Sequence, residues 1–246
     1  KGAVMGDSFG LENVLWFANN KEDAHEEPTI KRSRSHDYVS KEVINVRENV
    51  GLIEVANFSK HEFKGSDARK FLDHLMAGKL PKPGRISLSP MLSYRGKLCG
   101  DLTVSCLDEN EFMVFGSGAA QEMHRRWFES HLDKFSVEYK NRSDEFHGIS
   151  IAGPNSRKVL EKIVRDDVTK EKFKFRDSRR MFVGGVPAII NRISFTGELG
   201  YEIYVAPHYQ IKLYEELMEA GREFNIKPVG GRALMSMRLE KNWGAW

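Results

Sequence analysis

Two carboxylates and one arginine are set among residues that could give them work. The first carboxylate lies in Arg192-Ile-Ser-Phe-Thr-Gly-Glu-Leu-Gly-Tyr-Glu-Ile-Tyr-Val205, whose second half alternates apolar and polar residues as a half-buried strand does. Thr196-Gly197-Glu198-Leu199-Gly200 breaks that pattern and places Glu198 between two glycines. Glycine permits backbone angles and close approach that a side chain blocks. A carboxylate held there can accept two parallel N–H donors from the edge of a guanidine-like ring. The plainer alternative is a turn carrying a solvated glutamate. The second carboxylate is Asp101, on a strand whose even positions (Leu98, Leu102, Val104, Cys106) form an apolar face. Asp101 shares the other face with Cys99, Thr103 and Ser105, small residues that could line a cavity. Aspartate is depleted in strands. Here it could hold a cationic amine or take a proton from one, or it could be an edge-strand surface residue. Arg238-Leu239-Glu240 could reach an anionic group or form a salt bridge on a helix. Tyr94-Arg95-Gly96-Lys97 reads as a hairpin turn.

Several chemistries are excluded by pattern. No Ser-His-Asp set, phosphate-cradling loop or Gly-x-Gly-x-x-Gly turn between a strand and a helix can be read. The eight histidines are scattered without metal spacing, so no metal site is expected. Cys99 and Cys106, seven residues apart on one strand, point to opposite faces and are expected to be free thiols in a reducing compartment. The 38 basic and 35 acidic residues nearly cancel, which gives no case for nucleic-acid binding. The longest apolar runs are too short to span a bilayer. With 246 residues the chain can hold one large domain or two small ones.

These residues need elements to hold them. Residues 1–20 show no clear period, and the charged stretch 20–37 reads as an exposed linker. A helix is expected over Tyr38–Asn49, then strands over Gly51–Val55 and Phe58–Lys64 and a helix from Gly65 to Met76. A hairpin of Ile86–Ser93 and Leu98–Leu107 follows, then a strand at Phe112–Phe115 and a helix over Ala119–Leu132. The scheme recurs. Gly65-Ser-Asp-Ala-Arg-Lys-Phe-Leu-Asp-His-Leu75 aligns with Gly153-Pro-Asn-Ser-Arg-Lys-Val-Leu-Glu-Lys-Ile163, 88 residues on. Downstream, Phe112–Phe115 and its helix match Tyr201–Val205 and a helix over His208–Phe224, with Ile211, Tyr214, Leu217, Met218 and Gly221 along one face. The expected fold is therefore α+β, with two related antiparallel-sheet subdomains and helices on one face of each. The boundaries are 1–37 for the leading segment and linker, 38–140 for the first subdomain and 141–246 for the second. A ligand would sit between the two copies.

Three segments in order, Met91-Leu-Ser-Tyr-Arg-Gly-Lys-Leu-Cys-Gly-Asp-Leu-Thr-Val104, Phe195-Thr-Gly-Glu-Leu-Gly-Tyr-Glu202 and Ser236-Met-Arg-Leu-Glu240, resemble the aminomethyltransferase family, the T-protein of glycine cleavage and its relatives. The resemblance runs from about Asp37 to the end. Within that family the leading segment MGDSFGLENVLWFA and the ending Arg238-Leu-Glu-Lys-Asn-Trp-Gly-Ala-Trp246 look most like the C-terminal half of dimethylglycine and sarcosine dehydrogenases. Such proteins carry a flavin-binding domain before this region and a small β-barrel after it. The chain is thus expected to be a segment of a longer protein, with FAD only on a domain it lacks.

The resemblance implies a tetrahydrofolate site. Glu198 would hold the pterin ring, with Phe195, Tyr201 and Arg238 completing the cofactor-binding set. Asp101 would be catalytic, beside the folate nitrogen that captures a one-carbon unit as 5,10-methylenetetrahydrofolate. The family usually has tyrosine where this chain has Phe195, and an arginine where it has Leu234. The implied partners are folate, a small methylated amine and a flavin domain of the same full-length chain, with no nucleic acid and no membrane. The implied location is cytoplasmic, or the mitochondrial matrix in a eukaryote. A stand-alone aminomethyltransferase acting on a lipoyl carrier, a non-catalytic binding module and a demethylase for other methylated substrates are the alternatives.

Overall fold

A computed structural model describes residues 2–8 and 10–244 of the chain. It opens with an antiparallel hairpin, β1 (Ala3–Ser8) and β2 (Leu11–Phe17), where no period was legible. A register shift between Val4 and Met5 breaks the in–out alternation, as a bulge does. Trp16 is fully buried, its ring 4.9 Å from that of Tyr38. The linker that follows is mostly exposed and leads into α1 (Ser35–Glu48). Glu42 of α1 fastens the hairpin to the body: its carboxylate accepts from the backbone N–H of Phe17 (2.7 Å) and of Gly230 (2.8 Å).

The body is two copies of one scheme. The first comprises β3 (Val50–Glu54), β4 (Ser59–Lys64), α2 (Ala68–Leu75), β5 (Arg85–Leu92), β6 (Leu98–Asp108), β7 (Glu111–Gly116) and α3 (Gln121–Glu129). The second comprises β8 (Glu138–Asn141), β9 (His147–Ala152), α4 (Ser156–Ile163), β10 (Ser178–Val183), β11 (Val186–Asn191), β12 (Gly200–Val205) and α5 (Gln210–Ala220). A tail of β13 (Ile226–Val229) and α6 (Gly231–Glu240) closes the chain. The 88-residue offset holds at both ends of α2 and α4. Gly65 and Gly153 turn the chain into these helices with φ of +137° and +127°, and a Cβ at either would lie 2.5 Å from a backbone oxygen. The face of α5 differs from its expected one. Ile211 is exposed, while Leu213, Leu217 and Ala220 are buried with Tyr214 and Met218 partly so, which centres the buried stripe on Leu213 and Leu217.

The copies are not side by side along the sequence. One sheet runs β5-β6-β7-β4-β8 and the other β10-β11-β12-β9-β3-β13. Each copy's first strand pairs in the other copy's sheet: β8 lies against β4, and β3 against β9, both antiparallel. A cut at residue 140 would take β3 from the six-stranded sheet in which it pairs with β9. β13 adds a parallel pairing to β3. Helices α2 and α3 cover the outer face of the five-stranded sheet around Phe63, Phe71, Leu102, Val104 and Phe128. Helices α4 and α5 do the same for the six-stranded sheet around Ile151, Leu160, Ile203 and Leu217. Beyond that arrangement, α1 and α6 cover the opposite side of β3 and β13 through Val46, Ile53, Val229, Ala233 and Met237.

Gly153→Ala combines a left-handed backbone with a clash against the Asn49 carbonyl oxygen. We expect it to cost about 1–3 kcal/mol of stability, read as a lower urea midpoint at unchanged slope.

Candidate functional site between the two sheets

The inner faces of the two sheets pack on each other. Three successive inward residues of β7 meet three successive strands of the other sheet. Glu111 is bonded to Arg180 of β10 (2.6 Å), Met113 shares an apolar cluster with Ile189 of β11, and Phe115 stacks on Tyr204 of β12 with centroids 4.5 Å apart. The strands of one sheet therefore cross those of the other at a large angle. Ser105 and Ser178 bridge the sheets through their hydroxyls (2.6 Å), and Ser178 donates on to Asn191 Oδ1 (2.8 Å).

The repeat explains which part of this interface is polar. Phe115 and Tyr204 occupy equivalent positions, 89 residues apart, so a quasi-two-fold relation passes through their stack. By strand register it exchanges Met113 with Glu202, and Ile189 with Thr103. On one side of the axis the Met113–Ile189 packing is apolar. The equivalent positions on the other side are Glu202 of β12 and Thr103 of β6, and Asp101 is the next inward residue along β6.

Glu202 is 7% exposed and makes no ion pair among the described residues. Its Oε2 accepts from the Tyr204 hydroxyl (2.8 Å), and its cross-strand neighbours are Asn191 and Ser150. Burial raises its carboxyl to about 7, partly offset by the Tyr204 hydrogen bond and by Lys241. Asn191 is fully buried, and its Nδ2 has no hydrogen-bond partner. Asp101 is half-buried, no donor among the described residues reaches its carboxylate, and burial raises its pKa as well. Two proton-hungry carboxylates on facing sheets, with unsatisfied polar capacity beside them, make a place for a ligand rich in N–H donors.

The other expected site residues fall differently. Glu198 stands half-buried at the rim, where its Oε1 accepts from Arg47 of α1 (2.5 Å); Arg47 also holds Glu240. It is an ion-paired rim residue, and the loop carrying it is braced by Thr196, whose Oγ1 accepts from the Glu198 N–H (3.2 Å). Phe195 is half-buried in the same loop. Tyr201 is corrected outright: strand alternation turns it to the outer face, where it is fully buried and stacked on Phe173 at 5.9 Å, away from the inner face. Arg238 does not pair with Glu240; its Nε is buried without a partner. Leu234 packs among α1 and β3 side chains, and Arg232 bonds Ser35 and Glu26 on the side of the opening hairpin. Sequence reasoning missed Glu202, Asn191 and Tyr204. The alternation in Gly200–Val205 already put Glu202 and Tyr204 on one face, but which face looks at the other sheet is a tertiary fact.

Among the described residues no group of three His, Cys, Asp or Glu side chains is placed to hold a metal ion. No described helix is long and apolar enough to cross a membrane. Cys99 and Cys106 are free thiols. Two surface hollows, one beside Lys64 and Glu109 and one beside Arg34 and Lys41, share no residue with the Asp101–Glu202 region. Trp246, one of the two terminal aromatics, lies outside the described residues.

Comparison with known proteins adds the following. The profile of the GCVT N-terminal domain matches residues 1–246. The chain is 37% identical over 245 residues to mitochondrial dimethylglycine dehydrogenase of Mus musculus, covering 98% of this chain and 28% of that protein. It is 30% identical over 198 residues to an aminomethyltransferase of Thermoanaerobacter pseudethanolicus, covering 79% of this chain and 53% of that one. The crystal structure of glycine cleavage system aminomethyltransferase T from Bartonella henselae superposes with a TM-score of 0.81 at 22% identity, covering 99% of this chain and 60% of that one.

The raised carboxyl of Glu202 makes folding pH-dependent. The folded state holds this proton more tightly than the unfolded chain, whose carboxyl titrates near 4.5. The corresponding stability is complete below about pH 4.5 and is lost as pH rises to about 7, a change of roughly 3 kcal/mol. Glu202→Gln is expected to abolish this component, so the variant's advantage over wild type grows across that window in urea titrations at stepped pH.

Proposed function

Because the chain belongs to the GCVT N-terminal domain family, we propose that its inner face binds tetrahydrofolate and serves one-carbon transfer in a flavin-dependent N-methyl amine dehydrogenase of the dimethylglycine or sarcosine type. The observation that carries this reading is Glu202, a buried carboxylate without an ion-pair partner among the described residues, held on the inner face of β12 beside Tyr204. The amide N–H and amino group of a pterin ring form two parallel donors, which a carboxylate accepts side by side. Tyr204 occupies one lone pair of Oε2 and leaves Oε1 and the rest of Oε2 for the ring. This assigns to Glu202 the role that family resemblance suggested for Glu198. The Arg47 pairing makes Glu198 a rim residue that shapes the entrance.

Tetrahydrofolate supplies, when bound, the amine pair that takes up a one-carbon unit at the formaldehyde level to give 5,10-methylenetetrahydrofolate. Asp101 orients and electrostatically supports the reacting amine, and its raised pKa suits it to hold a proton taken from that amine. Thr103, next to Asp101 on the same face, adds a hydroxyl to that wall. Phe115 and Tyr204 close one end of the space and limit water. Phe195, in the rim loop, offers a ring face for the rest of the folate.

The chain spans about a quarter of dimethylglycine dehydrogenase, 28% of its length, so the amine oxidation is assigned to another part of the full protein. The FAD of this reading belongs, with the amine oxidation, to that other part of the full protein. Identity of 37% over nearly the whole chain favours this context over a glycine-cleavage enzyme acting on a lipoyl carrier, matched at 30% over 79%. The same relative's mitochondrial name supports a matrix location.

Calorimetric titration of tetrahydrofolate under reducing conditions tests the assignment. Wild type is expected to bind in the micromolar range, on the order of −7 to −8 kcal/mol. Glu202→Gln, which replaces an acceptor oxygen by a donor, is expected to weaken binding at least about tenfold, and Glu198→Gln less than about threefold. A folded wild-type chain that binds no folate sinks the proposal.

A further inference from the structure

Glu202 does not stand alone on its strand. Tyr204, two residues on and on the same inner face, is 1% exposed and spends its hydroxyl on Glu202 Oε2 at 2.8 Å. Its ring is held by the stack on Phe115, 4.5 Å between centroids and 29° between planes. A phenol so fixed cannot swing to another acceptor, and a carboxylate bonded to it cannot rotate freely. The groups around Glu202 are few. Lys241, at the end of α6, is the cation that acts on it, and its Nζ donates to the Ser194 carbonyl (2.9 Å). Asn191 of β11 and Ser150 of β9 flank it as neutral neighbours, and Thr103 and the titratable Asp101 lie on the inner face of β6 in the other sheet.

We propose that Tyr204 is a positioning residue for the folate site: its hydroxyl holds the Glu202 carboxylate ionised and turned so that the other oxygen faces the ring edge of the ligand. The inference rests on the assignment of Glu202 made above. A hydrogen bond donated to an ionised carboxylate favours that form and opposes the effect of burial. Without the phenol, burial acts almost unopposed, and Glu202 takes up a proton at neutral pH. A protonated carboxyl presents an O–H where the ligand needs an acceptor, so the ring edge loses one of its two parallel bonds. Tyr204 touches no reacting atom; it acts through Glu202.

Tyr204→Phe removes the hydroxyl and keeps the ring that stacks on Phe115. Tetrahydrofolate affinity is measured by calorimetry from pH 5.5 to 9 for wild type, Tyr204→Phe and Glu202→Gln, with near-ultraviolet circular dichroism to confirm packing. Wild type should lose affinity as pH falls through about 7. In Tyr204→Phe that fall should begin roughly one pH unit higher, giving a deficit of about fivefold at pH 7 that shrinks to within about twofold at pH 9. Glu202→Gln should bind weakly at every pH, with the inflection gone. Glu202→Gln weak and Tyr204→Phe unchanged at all pH values, or weakened by one constant factor, overturns the role of Tyr204 and leaves the folate assignment standing. Glu202→Gln titrating like wild type overturns both.

Discussion

Phe115 and Tyr204 stack at the centre of the molecule, and the rest of the structure is arranged around that contact. Each ring is nearly or wholly removed from water, and each sits at the same place in its own copy of the repeat. Two twisted sheets that cross at a large angle touch closely only near the crossing and diverge toward their corners. The aromatic pair fills the crossing point. Residues one step away on either side are close enough to face each other, and those further out open onto solvent.

The same geometry produces an asymmetric interface from a symmetric scaffold. A duplicated fold offers equivalent positions on both sides of its axis, and here one side carries Met113 against Ile189 while the equivalent positions carry Glu202 and Thr103. The apolar side contributes burial and holds the sheets in register. The polar side gives up that stabilisation: a lone carboxylate is withdrawn from water, which disfavours its charged form. Such an arrangement is costly to folding, the kind of local penalty that proteins keep at functional sites.

Elements and repeat were legible because they depend on local rules. The helices α2 and α4, the hairpin of β5 and β6, and the strand β12 follow from apolar spacing and glycine placement. The opening hairpin was not legible, since its bulge destroys the alternation that identifies a strand. The exchange of β3 and β8 between sheets was hidden for a different reason: which strand pairs with which is set by long-range burial, and both choices share one local pattern. Among the expected site residues, Asp101 was singled out through its small-residue face. Glu198 drew notice through its glycines, yet its charge is spent on Arg47, 151 residues earlier in the chain. Tyr201 was drawn in as a neighbour of the motif, and strand alternation sends it into the outer core.

By itself the sequence determined the duplicated α+β architecture, the strand that carries Asp101 and the family to which the motif segments belong, because periodicity and glycine placement act within a few residues. Tertiary structure alone decided which carboxylate of the Glu198–Glu202 pair is buried. The two are four residues apart and chemically identical. Only the crossing of the second sheet, and the Tyr204 ring that it traps, leave one of them half-buried beside an arginine and enclose the other.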